Sequence, residues 1–117
     1  MSDADQIIET VAAHHGLAKM LLTNTGRLQH IVLARQTAMY LIRKRLKLSF
    51  QQIGLAFNRD HTTALHHTTR ITSILNSNWQ GEAGEIAELL RQQIAAIERE
   101  LDAQRSRACE PNSSMQT

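Results

Sequence analysis

A short segment in the middle of the chain combines one carboxylate, one imidazole and two hydroxyls. It lies within FNRDHTTALHHTTRI (residues 57–71), where Asp60 is followed at once by His61, Thr62 and Thr63. A carboxylate just before a helix accepts hydrogen bonds from the N–H groups of the first turn, and this role explains Asp60 by itself. The next three residues are mediocre helix formers, but their side chains are short and carry donors, acceptors and methyl groups. Such side chains suit the base edges of the DNA major groove, where Asp accepts from cytosine N4 and a Thr methyl meets the thymine methyl.

The charges around this segment are mostly positive. Residues 26–70 contain eight basic residues and a single acid, so they carry a formal charge of +7. Residues 1–25 carry −2 and residues 71–117 carry −3. A basic middle between acidic ends favours an anionic partner, and the alternative is a basic face that contacts only solvent.

The pattern that positions the segment is two helices joined by a tight turn. Ser49 is a typical N-cap, and FQQIGLAF (residues 50–57) predicts a short helix in which Gly54 permits close packing. NRD then forms the turn, and Asp60 is the N-cap of a longer helix. A short helix, a tight turn and a longer helix predict a helix-turn-helix, whose second helix places its first residues at the base edges.

The rest of the chain is also predicted to be helical. Its 117 residues suit one domain, and one Pro with five Gly leave few helix breakers. Apolar residues recur at helical spacing from Ser2 to Gly16, within LAKMLL (residues 17–22) and from Leu28 to Leu46. The chain is therefore predicted to be all-α.

A last helix is predicted after a polar linker. Residues 83–107 are strongly helical, and their apolar residues alternate spacings of three and four. We call this set the heptad seam: Ala87, Leu90, Ile94, Ile97 and Leu101. The helix either packs onto the domain or pairs with a second copy as a homodimer through residues 83–107. The predicted organisation is a DNA-binding domain over 1–76, a linker and amphipathic helix over 77–108, and a disordered tail over 109–117.

Several classes of function are disfavoured by the residues that would be needed for them. Cys109 is the single cysteine, which argues against a disulfide framework or a multi-cysteine zinc site, and the six His lack metal-site spacing. These spacings lead us to expect no metal and no cofactor. No GxSxG motif is present and Cys109 lies in a polar tail, so we expect no enzyme. No apolar run approaches the length of a membrane span and the N-terminus is acidic, so we expect a cytoplasmic protein with no membrane contact.

A longer motif gives a family resemblance. RDHTT, preceded by ARQTAMYLIRKRLKLSFQQIGLAF (residues 34–57), resembles the C-terminal DNA-binding domain of the bacterial replication initiator DnaA. That family shows ARQ-x-AMYL, then SLP-x-IG-x-x-F, then GRDHTTV-x-HA, and the similarity covers about residues 7–71. The resemblance implies a Trp repressor-like helix-turn-helix bundle, here with an extra C-terminal amphipathic helix. It implies double-stranded DNA carrying DnaA-box-like sites as the partner.

The resemblance also implies a set of site residues. Base contacts are expected from Arg27 in the minor groove and from the start of the recognition helix in the major groove, at Asp60, His61, Thr62 and Thr63. DNA backbone contacts are expected from Arg35, Gln36, Arg43, Ser49, Arg59 and His66.

The chain departs from the family pattern at three places. Asn58 alone replaces two glycines, Phe50 and Gln51 replace Leu-Pro, and TNTGRLQH (residues 23–30) holds a single Arg. These departures predict a lower affinity or a different preferred sequence.

The expected function is sequence-specific binding of double-stranded DNA that regulates replication initiation or transcription at the nucleoid. The chain has no GxxxxGK[ST] motif, so no nucleotide and no ATPase activity are expected of it. Two alternatives stay open: a protein-interaction adaptor acting through the C-terminal helix, and a nonspecific nucleoid binder that uses only the basic patch.

Overall fold

The computed structural model describes the backbone of residues 3–24 and 28–114, and the side chains of residues 3–24 and 28–105. Over these residues the chain forms six α-helices and no strand, which confirms the all-α prediction. The helices are α1 (Asp3–His14), α2 (Lys19–Thr23), α3 (Gln29–Leu46), α4 (Phe50–Ala56), α5 (His61–Leu75) and α6 (Gly81–Ser114).

Helix α3 is the centre of the fold. Its predicted apolar face is buried as expected, at Ile31, Ala34, Ala38, Leu41 and Ile42. Helices α1 and α5 pack against α3, and α4 packs against α5. The buried side chains are mostly aliphatic, in keeping with an aromatic content of 3 %. This core holds the α4–turn–α5 unit on one side of α3.

The first two helices are joined by a glycine turn. Gly16 has a φ of +70°, which favours glycine, and the N–H of Leu17 returns to the carbonyl oxygen of Ala12 at 2.8 Å. The predicted end of the first helix is therefore confirmed. Helix α2 occupies the predicted LAKMLL position, and its carboxyl end points toward the site described below.

Helix α6 packs onto its own domain through the heptad seam. All five seam residues are buried in the same core as α1, α3 and α5. Polar bonds add to this contact, since Gln104 bonds to Gln6 at 2.6 Å and Arg91 donates to the carbonyl oxygen of Leu75 at 3.1 Å. Of the two predicted arrangements, packing onto the domain is the one in the structure, and the seam is not exposed for a coiled coil.

The ends of α6 differ from the sequence prediction. The helix begins at Gly81, and its backbone is helical to Ser114, whereas a disordered tail was predicted from residue 109. Each residue added to an existing helix gains a hydrogen bond without a new nucleation cost, so a helix can continue into a polar segment. Residues 115–117 lie outside the described part of the chain. Among the described helices, none is both long and apolar enough to cross a membrane.

Candidate nucleic-acid interface

The first helix of the predicted motif begins with a reciprocal cap. The Oγ of Ser49 accepts from the N–H of Gln52 at 3.1 Å, and the Oε1 of Gln52 accepts from the N–H of Ser49 at 2.9 Å. This capping box confirms Ser49 as the N-cap of α4. Its expected contact with the DNA backbone stays a prediction.

The turn between α4 and α5 is tight because Arg59 and Asp60 approach the same glycine of α4. Asn58 has a φ of 58°, a left-handed conformation that Asn tolerates better than most residues. The N–H of Arg59 donates to the carbonyl oxygen of Gly54 at 2.7 Å. A Cβ at Gly54 would lie 2.7 Å from the carbonyl oxygen of Arg59 and 2.9 Å from that of Asp60. The turn therefore closes with one left-handed residue and requires glycine in α4.

The predicted recognition helix presents its first residues to solvent. The Oδ1 of Asp60 accepts from the N–H of Thr63 at 2.8 Å, which confirms the predicted N-cap. These hydrogen bonds from Thr63 hold the pKa of the Asp60 carboxyl below its ordinary value, since they favour the ionised form. His61 and Thr62 are exposed, and Thr63 is half-buried. The helix start is thus both fixed and open, as a base-reading helix requires.

Arg35 is more buried than a surface cation would be. It is only 3 % exposed. Its Nε donates to the carbonyl oxygen of Leu22 at 2.7 Å, and its Nη2 donates to those of Leu21 at 3.2 Å and Asn24 at 3.0 Å. These carbonyls end α2 and lack helical partners, so the guanidinium caps that helix. Arg35 thus has a structural role in this fold, and its expected contact with phosphate stays a prediction.

Gln36 is also buried, at 8 % exposed. Its Nε2 lies 3.1 Å from the Nδ1 of His67, so a neutral His67 accepts a hydrogen bond from the amide. Burial, followed by the nearby positive charges of Arg35, Arg59 and His66, lowers the pKa of His67 and favours that neutral form. Gln36 thus links α3 to α5, and its expected contact with phosphate stays a prediction. His66 is exposed, and its contact with the DNA backbone stays a prediction.

Arg43 is exposed but held in a defined position. Its guanidinium carbon lies 4.4 Å from the centroid of the Phe50 ring, and its Nη1 donates to the carbonyl oxygen of Leu48 at 2.7 Å. A planar guanidinium that stacks on an aromatic ring keeps donors at its edge for a phosphate. Phe50 departs from the family pattern, yet it supports the position of this arginine.

Two other basic residues of α3 are paired with α6. Lys44 lies 2.8 Å from a carboxylate oxygen of Glu98, and Arg45 lies 3.2 Å from Glu98 and 2.6 Å from Asp102. Counting charges along residues 26–70 missed these pairs, because the acids are more than 50 positions away in sequence. The positive charge that faces the predicted interface is therefore smaller than the sequence indicates.

Arg59 lies partly exposed beside the start of α5. Its Nη2 donates to the carbonyl oxygen of Asn24 at 2.6 Å, and its Nη1 is 3.4 Å from that of Asn58. Sequence reasoning missed Asn24 because its bonding atom is a backbone carbonyl, which leaves no signal in the residue type. Arg27, the expected minor-groove residue, lies outside the described residues.

Comparisons with known proteins agree with this geometry. The family described as bacterial dnaA protein helix-turn-helix matches residues 4–71. The chromosomal replication initiator protein DnaA of Deinococcus radiodurans is 36 % identical over 94 residues, which cover 80 % of this chain and 20 % of that protein. The protein of the same name from Thermus thermophilus is 41 % identical over 78 residues, covering 66 % of this chain and 18 % of the relative.

The similarity is confined to a small part of these relatives. The DnaA of Tropheryma whipplei is 38 % identical over 76 residues, 65 % of this chain and 16 % of that protein. The chain thus spans about a fifth or less of the length of these curated relatives. Because the family match covers more than half of the chain and includes α4, the turn and the start of α5, this chain belongs to the bacterial DnaA helix-turn-helix family.

Proposed function

We propose that this chain binds double-stranded DNA in a sequence-specific manner and recognises DnaA-box-like sites through the first residues of α5. The observation that carries the proposal is the exposed helix start, where His61 and Thr62 follow a capped Asp60 directly after the tight turn. Short donors and acceptors on a fixed helix end match the chemistry of base edges in the major groove. Membership of a helix-turn-helix family supports the same conclusion.

The proposed role is regulation of replication initiation or transcription by occupancy of such sites at the nucleoid. The matched relatives are named chromosomal replication initiator proteins, which connects the proposed sites with initiation. The printed chain lacks a GxxxxGK[ST] motif, so this role requires no ATP hydrolysis by these residues.

The test begins with selection from random duplexes at about 0.15 M salt, where specific and nonspecific binding separate. The selected site is then titrated with His61→Ala and Thr62→Ala, which we expect to weaken specific binding by about 1–3 kcal/mol each. Thr72→Ala is the matched control, since Thr72 is exposed on the same helix about 15 Å further along its axis. If both variants bind the selected site as tightly as the wild type, α5 does not read bases.

Salt dependence separates the nonspecific alternative from the proposal. A chain that binds only through its basic patch enriches no sequence and loses affinity steeply as salt rises. Arg43→Ala removes one stacked guanidinium, so we expect weaker binding to all duplexes and a salt slope smaller by about one unit. An unchanged slope would show that Arg43 does not contact phosphate.

A homodimer through residues 83–107 would have to use a face other than the heptad seam. Ile86 and Leu89 lie on α6 outside the seam and are 60 % and 57 % exposed. Sedimentation equilibrium of the wild type and of Leu89→Glu tests this version, and a monomer mass for the wild type at high concentration would exclude it.

A further inference from the structure

Two arginines from different parts of the chain meet at one backbone oxygen. The carbonyl oxygen of Asn24 accepts from the Nη2 of Arg35 at 3.0 Å and from the Nη2 of Arg59 at 2.6 Å. Arg35 comes from the middle of α3, and Arg59 comes from the turn before α5. Asn24 directly follows α2, so a single residue joins three elements.

The position of this junction explains how two like charges can lie close together. The last carbonyls of a helix lack intrahelical partners and carry the negative end of the helix dipole. Arg35 satisfies those of Leu21 and Leu22 as well as that of Asn24. Burial, followed by the charge of Arg59, lowers the pKa of Arg35, and the hydrogen bonds to these carbonyls offset this cost of keeping Arg35 charged.

Arg59 also fixes the turn through its backbone. Its N–H donates to the carbonyl oxygen of Gly54 in α4 at 2.7 Å, while its side chain donates to Asn24 beyond α2. The next residue, Asp60, is the N-cap of α5. The start of the recognition helix is therefore held from two sides by Arg59, the residue that precedes its N-cap.

We propose that Arg59 is a positioning residue, which uses the junction with Arg35 and the Asn24 carbonyl to set the place of His61 and Thr62 on the DNA. On this view Arg59 contributes to sequence discrimination rather than to phosphate binding, in contrast to the backbone contact expected from the sequence. The inference rests on the proposed function, because discrimination is measured on the site that α5 selects.

The experiment compares Arg59→Met with Arg70→Met. Both changes remove one guanidinium and keep an apolar stem, and Arg70 is exposed further along α5. Dissociation constants are measured for the selected duplex and a scrambled duplex between about 0.05 and 0.3 M salt. We expect Arg59→Met to reduce the ratio of specific to scrambled affinity about tenfold and to leave the salt slope on the scrambled duplex unchanged. A slope smaller by about one unit with an unchanged ratio would overturn the proposal and make Arg59 a phosphate contact.

A second measurement works without DNA. Amide chemical shifts of His61, Thr62 and Thr63 are recorded by NMR for the same two folded variants. We expect the chemical shifts of these amides to change in Arg59→Met and to remain unchanged in Arg70→Met. Unchanged amide chemical shifts in Arg59→Met would overturn the positioning role. Because this arm requires no binding site, it tests the junction even if the random-duplex selection yields no specific sequence and the proposed function fails.

Discussion

Replacing Gly54 with Ala tests the packing that closes the helix-turn-helix. The new Cβ would lie 2.7 Å from the carbonyl oxygen of Arg59 and 2.9 Å from that of Asp60, both of which are rigid backbone atoms. Ordinary contacts are near 3.5 Å, so the turn or α4 must shift by more than half an ångström. Overpacking of this kind costs about 1–3 kcal/mol, and the better helix propensity of Ala offsets up to about 1 kcal/mol of that cost. We expect Gly54→Ala to lower the free energy of unfolding by about 1–2 kcal/mol.

The assay is urea unfolding followed by helical circular dichroism, together with binding to the selected duplex under conditions where the variant is folded. Gly84→Ala is the matched control, because its Cβ would clash with the carbonyl oxygen of Trp79 just before α6, away from the motif. Both variants should lose stability, but only Gly54→Ala should lose sequence discrimination. A Gly54→Ala variant that unfolds at the wild-type urea concentration or above would refute the described turn.

Three further predictions concern the caps and the core. Hydrogen bonds from Thr63 lower the pKa of Asp60, so the ionised cap stabilises the fold above the ordinary carboxyl pKa of about 4. This stabilisation is lost as the pH falls through the lower pKa of the folded state. The urea midpoint of Asp60→Asn should therefore change less than that of the wild type between about pH 5 and 2. Because the pKa of His67 is lowered in the folded state, neutral His67 contributes fully to the free energy of unfolding above about pH 6.5. Below that pH the contribution declines, since the unfolded state takes up the proton first. The urea midpoints of His67→Gln at about pH 7.5 and 5.5 should therefore differ less than those of the wild type. Ile97→Ala should lower the free energy of unfolding, measured with urea, by about 2–5 kcal/mol, because Ile97 is buried. Leu89→Ala should lower it by less than about 0.5 kcal/mol, because Leu89 is mostly exposed. Equal losses in the two variants would show that α6 does not pack as described.

Local signals in the sequence were sufficient to predict the motif. Ser49 and Asp60 are capping residues whose bonds reach only three positions along the chain, so residue type and spacing specify them. Helical periodicity likewise identified the buried face of α3, because side-chain direction in a helix repeats every 3.6 residues. Predictions of this kind depend on neighbours in sequence and hold when the helix forms.

The bonds that sequence reasoning missed join residues far apart in sequence. Arg35 resembled a surface cation because its type is usually exposed, and only the packing of α2 against α3 places carbonyl oxygens around it. The phosphate contact of Gln36 was implied by the family resemblance, whereas its bond to His67, 31 positions away, left no signal in the sequence. Polar residues on a central helix can either bind a ligand or satisfy buried backbone groups, and periodicity does not distinguish these roles.

The heptad seam shows why an amphipathic pattern does not determine its own partner. Spacings of three and four predict that one stripe of α6 is buried, whether against the same chain or a second copy. The polar residues beside the stripe determine that α6 packs on its own domain. Arg91 bonds to the carbonyl oxygens of Leu75 and Ser77, at and just after the end of α5, and Asp102 pairs with Arg45 on α3. Such specific bonds to the domain would all be broken if α6 left to form a coiled coil. Helix α6 therefore acts as a brace across the bundle, and the C-terminal end of the recognition helix is held by α6 just as its N-terminal end is held by the turn.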